Sequence, residues 1–170
     1  LIVEEVGSRA RAAEEEQMRA ALAGEIESAE EVPDRLYVGI DGAQAHIDGS
    51  WHEVKNGVVY EQEGGKRYVA AQESAEDFGE RVYAAAAQEG IEQVAESVVI
   101  ADGAEWIWNL AAMHFSGAIE IVDFWHACER IWEVANAHYG EGTEGARRWA
   151  QRHKPRLLQE GPGPLLRALA

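Results

Sequence analysis

Leu36-Tyr37-Val38-Gly39-Ile40-Asp41-Gly42 is an apolar run that closes on an acid and a glycine. Five residues without polar alternation read as a buried central strand. Further along, Ser97-Val98-Val99-Ile100-Ala101 repeats the pattern and leads into Asp102-Gly103. Ala118 to Val122 predicts a last strand and ends in Asp123. Three strands are therefore expected, each closing on a carboxylate.

The chain between these runs supplies the remaining elements. Trp51 to Glu61 predicts a second strand, with Val54, Val58 and Tyr60 among its apolar residues, although Asn56-Gly57 inside it is also a hairpin-turn signal. Glu63-Gly64-Gly65 predicts a turn and Arg67 to Gln72 a strand. Ser74 reads as a helix N-cap with Asp77 three residues on, and the helix should run to about Glu89 and stop at Gly90. Phe78, Val82, Tyr83, Ala85 and Ala86 would form its buried face. Glu105 to Phe115, Ala127 to Tyr139 and Glu144 to Gln159 predict three more helices, stopped by Gly117, Gly140 and Gly161-Pro162-Gly163-Pro164.

This order describes an α/β fold with a mixed five-stranded sheet. Three strands joined by short turns form a meander; the two later strands, reached through helices, lie parallel to the first with helices on the sheet faces. Upstream, residues 4–31 are rich in Ala, Glu and Arg and predict a solvated helix, with Met18, Leu22 and Ile26 as one modest packing stripe, before Pro33 breaks it. The expected organisation is an N-terminal helical linker over 1–34, a core over 35–140, and the start of a further helical region over 141–170.

Composition narrows the function classes. A hydrophobic fraction of 46% in 170 residues suits one globular core. No apolar run approaches the roughly 20 residues of a membrane span, and Leu1 to Val3 run directly into Glu4 and Glu5, unlike a secretory signal. Cys128 is the single cysteine, which excludes an internal disulfide and a multi-thiolate zinc site and makes the cytoplasm the expected compartment. The net charge of −16 opposes a simple nucleic-acid surface. Residues 127–170 differ, with 7 bases against 5 acids. There Arg147, Arg148, Arg152, Lys154 and Arg156 form the one basic cluster, suited either to phosphate backbone or to a solvated helix face.

Asp41, Asp102 and Asp123 carry the chemical argument. In an open sheet ligands gather beyond the carboxyl ends of the strands, and parallel neighbours deliver their acids to one edge. Two carboxylates a few ångströms apart repel unless a cation lies between them. Oxygen ligands of this hardness favour Mg²⁺ or Mn²⁺, and Gly42 and Gly103 leave room for a phosphodiester. One Asp-Gly alone is a turn signal; two after buried strands, in the right topological order, make Asp41 and Asp102 a metal-binding pair. Asp123 suits either that edge or a helix cap. His126, Cys128 and His138 fit no common zinc spacing. Trp106, Trp108, Trp125 and Trp132 read first as core anchors and second as base-stacking groups.

VGIDG around Asp41, VIADG around Asp102 and the run IVDFWHACERIW from Ile121 to Trp132 together resemble DDE transposases of the bacterial insertion-sequence and Mutator-like type. Asp123-Phe124-Trp125-His126 matches the family's Asp-x-x-His signature, and DGAEWIW from Asp102 is similar to the segment around the family's second catalytic Asp. The resemblance covers about Leu36 to Arg167. It implies an RNase H-like fold, Asp41 and Asp102 as two catalytic acids binding Mg²⁺ or Mn²⁺, and DNA as the partner, both transposon ends and target, with possible homo-oligomers. The family's third acid, a Glu beyond the signature, is expected past Ala170, and the natural start upstream of Leu1; Glu129 and Glu133 are read as ordinary helix-surface residues. The resemblance thus makes the chain a catalytic-core fragment, inactive by itself; an inactive remnant that keeps the fold and an actin-like ATPase or sugar-kinase lobe are the alternatives. The last lacks its Gly-rich phosphate loops here.

Overall fold

The apolar run from Leu36 does not stop at Asp41. It belongs to β1 (Arg35–Ile47), whose burial alternates as far as Ile40 and gives way to exposed residues from Asp41 onward. The change comes where β1 loses a neighbour. β4 (Glu96–Ala101) pairs parallel with β1 from Arg35↔Glu96 to Ile40↔Ala101 and no further. Beyond that point β1 is held only by β2 (Ser50–Tyr60), antiparallel from Tyr37↔Tyr60 to Ile47↔Ser50. The computed structural model describes residues 2–25 and 32–169, with side chains over 12–25 and 32–168.

The β1–β2 turn is Asp48-Gly49, with φ of 50° and 83°. Two successive positive φ values are the signature of the two-residue turn whose twist suits a hairpin. Asn56-Gly57 is no turn; it lies within β2, where Gly57 faces Ile40 across the pair. The glycine is there for packing. A Cβ at position 57 would lie 2.8 Å from Val69 Cγ2 and 3.0 Å from Val82 Cγ2. With β3 (Lys66–Ala71) and β5 (Ile119–Val122) the sheet has the order β3-β2-β1-β4-β5, a mixed five-stranded α/β arrangement with β1 at its centre.

Two compact units result, Leu1–Ile121 and Val122–Ala170. In the first, α2 (Ala75–Gln88) and α3 (Glu105–His114) cover one sheet face. Leu36, Val38, Ile40, Val59, Val99 and Ala101 from the strands meet Phe78, Val82, Ile107 and Leu110 from the helices. Ser74 caps α2 as its sequence predicts, accepting the Asp77 N–H at 3.0 Å, and Gly90 follows with φ of 80°. α1 (Ile2–Leu22) is shorter than the composition of 4–31 suggests. It ends at Gly24, with φ of 69°, a left-handed conformation in which glycine is at no disadvantage; Ile26 lies outside the described residues. α1 packs on α2, where Arg81 donates to Glu14 Oε1 at 2.8 Å.

The second unit holds α4 (Phe124–Tyr139), α5 (Glu144–Glu160) and the short α6 (Gly163–Leu169), which the Gly-Pro punctuation had not suggested. Ala135, Ala146 and Ala150 are small enough to let α4 and α5 approach closely around Ile131, and Trp132, Trp149 and Leu157 seal the contact. Thr143 caps α5 by accepting the Ala146 N–H at 3.2 Å. Among the described residues no helix is long and apolar enough to cross a membrane.

Candidate metal centre

Ile40↔Ala101 is the last parallel pair of β1 and β4, so Asp41 and Asp102 are the first residue beyond it on each strand. Neighbouring strands lie about 4.8 Å apart. Side chains leaving from equivalent positions therefore meet, and one carboxylate oxygen of Asp41 and one of Asp102 lie within 4.8 Å of each other. Asp41 is exposed and Asp102 half-buried. The two backbones diverge at this point. β1 continues with Asp41 opposite Asn56, while β4 ends as Gly103 takes φ of 100°. Asp102 Oδ1 accepts the Ala104 N–H at 2.8 Å, which fixes the carboxylate at the entry to α3.

This donor set fits a hard divalent cation. Oxygen ligands to Mg²⁺ sit at roughly 2.1 Å, so opposite ligands of one ion are about 4.2 Å apart. A separation within 4.8 Å is a small rotamer adjustment from bridging. Among the described residues no third carboxylate joins the pair. Asp41 does not end a strand, and what makes it available is the early end of its neighbour.

Lys55 carried no signal that singled it out in the sequence, since one Lys in a strand of mixed polarity reads as solvated. In the structure it is buried and lies opposite Gly42, the residue after Asp41.

Asp123 and His126 belong to the second unit. Asp123 Oδ1 accepts the N–H groups of Trp125 at 2.9 Å and His126 at 3.2 Å, so it caps α4. The helix consequently starts at Phe124, earlier than the Ala127 the sequence suggested. His126 Nδ1 lies 3.2 Å from the same oxygen without hydrogen-bond geometry, and has no hydrogen-bond partner among the described residues. Cys128 is buried, and that burial pushes its thiol pKa up, away from a reactive thiolate. His126, Cys128 and His138 form no three-ligand group among the described residues.

The tryptophans divide. Trp106 and Trp108 pack on the first core and Trp132 on the second, as anchors. Trp125 does not: it is 68% exposed, with Lys154 Nζ 5.8 Å from its ring centre. In the basic cluster Arg147 pairs with Glu144 at 3.4 Å and Arg156 with Glu160 at 3.0 Å. Arg148 and Arg152 are exposed and have no ion pair among the described residues.

No protein-family model matches the chain, and neither the curated proteins nor the solved structures contain a significant match.

Proposed function

We propose that the chain is the catalytic core of a DDE transposase of the bacterial insertion-sequence and Mutator-like type, with an RNase H-like sheet carrying Asp41 and Asp102 as its metal-binding acids. The observation that carries the reading is the approach of these two carboxylates at the end of the β1–β4 ladder. A meander followed by a parallel strand, in the order β3-β2-β1-β4-β5, is the sheet this reading requires. The motif resemblance at Asp123 to His126 supports it further.

Bound Mg²⁺ or Mn²⁺ would lower the pKa of an attacking water or hydroxyl and stabilise the leaving oxygen of an in-line phosphoryl transfer. The chain's own contribution is to hold two acids at a fixed separation. Asp102 is oriented by the Ala104 N–H, and Asp41 stands on a strand gripped on its other side by β2. Arg148 and Arg152, cationic and without ion-pair partners among the described residues, are the groups best suited to DNA phosphates, together with Lys154 and Arg147. Mn²⁺-dependent nicking of a plasmid carrying the DNA that flanks the gene tests the reading, using the open frame that encodes the chain. Asp41→Asn and Asp102→Asn should each abolish nicking; retained cleavage in either variant removes the assignment.

Two observations favour a second reading, a remnant that keeps the fold without activity. No third carboxylate joins the pair among the described residues, and the net charge is −16. Mn²⁺ binding without nicking by the encoded frame would support it.

A further inference from the structure

Only two polar or charged residues are buried among the described residues, and one of them, Lys55 at 7% exposure, lies on β2 across from Gly42, the residue after Asp41. Burying an ammonium costs several kcal/mol, of order, unless its donors are satisfied. Lys55 satisfies them with groups from three different segments. Its Nζ donates to Glu53 Oε2 on β2 at 2.8 Å and to the Glu73 carbonyl, just ahead of α2, at 3.0 Å. It also lies 5.3 Å from the ring centre of Trp106 in the first turn of α3, an attractive cation–π distance.

Two of these contacts, with Glu53 and Trp106, bear on the strand ends. Lys55 is directly opposite Gly42. A Cβ on Gly42 would lie 3.1 Å from Glu53 Oε1 and 3.7 Å from Trp106 Cζ2, so the carboxylate and the indole both rest against the backbone next to Asp41. Trp106 follows closely on the turn in which the Ala104 N–H holds Asp102. Lys55 thus ties the segment after Asp41 to the segment after Asp102, across a point where the β1–β4 ladder has ended and no ladder hydrogen bond can set their spacing.

We propose that Lys55 is a positioning residue for the Asp41–Asp102 pair, fixing the separation of the two carboxylates through Glu53 and Trp106. This rests on the metal reading above. The test is Mn²⁺ affinity of the full chain, measured by electron paramagnetic resonance, for the wild type, Asp41→Asn, Lys55→Met and Trp106→Leu, with amide exchange over β1 and β4 recorded in parallel. Loss of a group that orients metal ligands typically weakens binding about 10- to 100-fold. Lys55→Met should weaken Mn²⁺ binding by that order while β1–β4 protection is kept, and Trp106→Leu should weaken it several-fold. In the double variant the two losses should be less than additive. Unchanged affinity in a folded Lys55→Met, with only stability lowered, would overturn the proposal and leave the metal reading intact. Should Lys55→Met fail to fold, unchanged affinity in Trp106→Leu overturns it equally. Affinity that Asp41→Asn does not weaken overturns the metal reading and the proposal together.

Discussion

Replacing Asp41 by Asn should stabilise the chain in the absence of metal and remove its response to Mn²⁺. The carboxylates of Asp41 and Asp102 have oxygens within 4.8 Å. Two unit charges of like sign at about that separation repel by roughly 0.9 kcal/mol in the dielectric of water and roughly 3.5 kcal/mol at an effective value of 20. Asp41 is exposed, which places the pair towards the lower figure. A gain of about 1 kcal/mol is therefore expected at low ionic strength, shrinking as added salt brings the Debye length towards the separation. Asp41 is the cleaner choice for the substitution, because Asp102 also accepts the Ala104 N–H and would lose a charge-assisted hydrogen bond. With Mn²⁺ at 100 times its Kd the wild type should gain about 2.7 kcal/mol and the variant almost nothing. The order of stability then reverses: the variant is the more stable in EDTA and the wild type in Mn²⁺. Urea unfolding read by pulsed amide exchange over the β1 and β4 peptides measures both arms. A variant less stable than wild type in EDTA, or one that keeps the full Mn²⁺ gain, would refute the reasoning.

Ser74→Ala removes the acceptor of the Asp77 N–H and should cost about 1 kcal/mol in urea unfolding. Gly57→Ala places a Cβ 2.8 Å from Val69 Cγ2 and 3.0 Å from Val82 Cγ2; overpacking of roughly 1–3 kcal/mol should outweigh the gain of about 0.4–1 kcal/mol from a stiffer unfolded chain. A net stabilisation on equilibrium unfolding would show that α2 can move off the sheet at no cost. His153, in the second unit, is buried, with Nδ1 lacking a hydrogen-bond partner among the described residues. Burial, followed by Arg156 and Arg152, lowers its pKa below the usual 6.5. The unfolded chain therefore takes up this proton first. Stability of the second unit should be complete above pH about 6.5 and fall as the pH drops towards the folded pKa. His153→Leu should flatten that part of the profile, and an unaltered slope in thermal melts from pH 7 to 5 would refute it.

The sequence by itself determined the element order, because periodicity and capping act over short distances. The apolar runs at Leu36 and Ser97 are strands, Ser74 with Asp77 starts a helix, and glycines at 90, 117 and 140 follow helices with positive φ. The meander followed by a parallel strand came from the same reading, since short turns allow only antiparallel neighbours. Where two local signals competed, tertiary packing decided. Asn56-Gly57 and Asp48-Gly49 are both hairpin dipeptides, and only the second is a turn, because Gly57 is needed flat beneath Val82. Helix composition around α1 could not show that Gly24 would turn the chain. Trp125 and Trp132, seven residues apart and so on one face of α4, differ in exposure because Trp132 packs on the α4–α5 core while Trp125 stands in the first turn, outside that core.

For the candidate site the division is the same. Asp41 and Asp102 were legible because each follows a buried run and precedes a glycine. Their separation was not, since it depends on β1 outrunning β4 at Ile40↔Ala101. Nor was Lys55, whose three partners come from β2, the loop before α2, and α3. Local sequence specifies which residue types stand at a strand end; only the packing of distant segments brings a buried charge beside them.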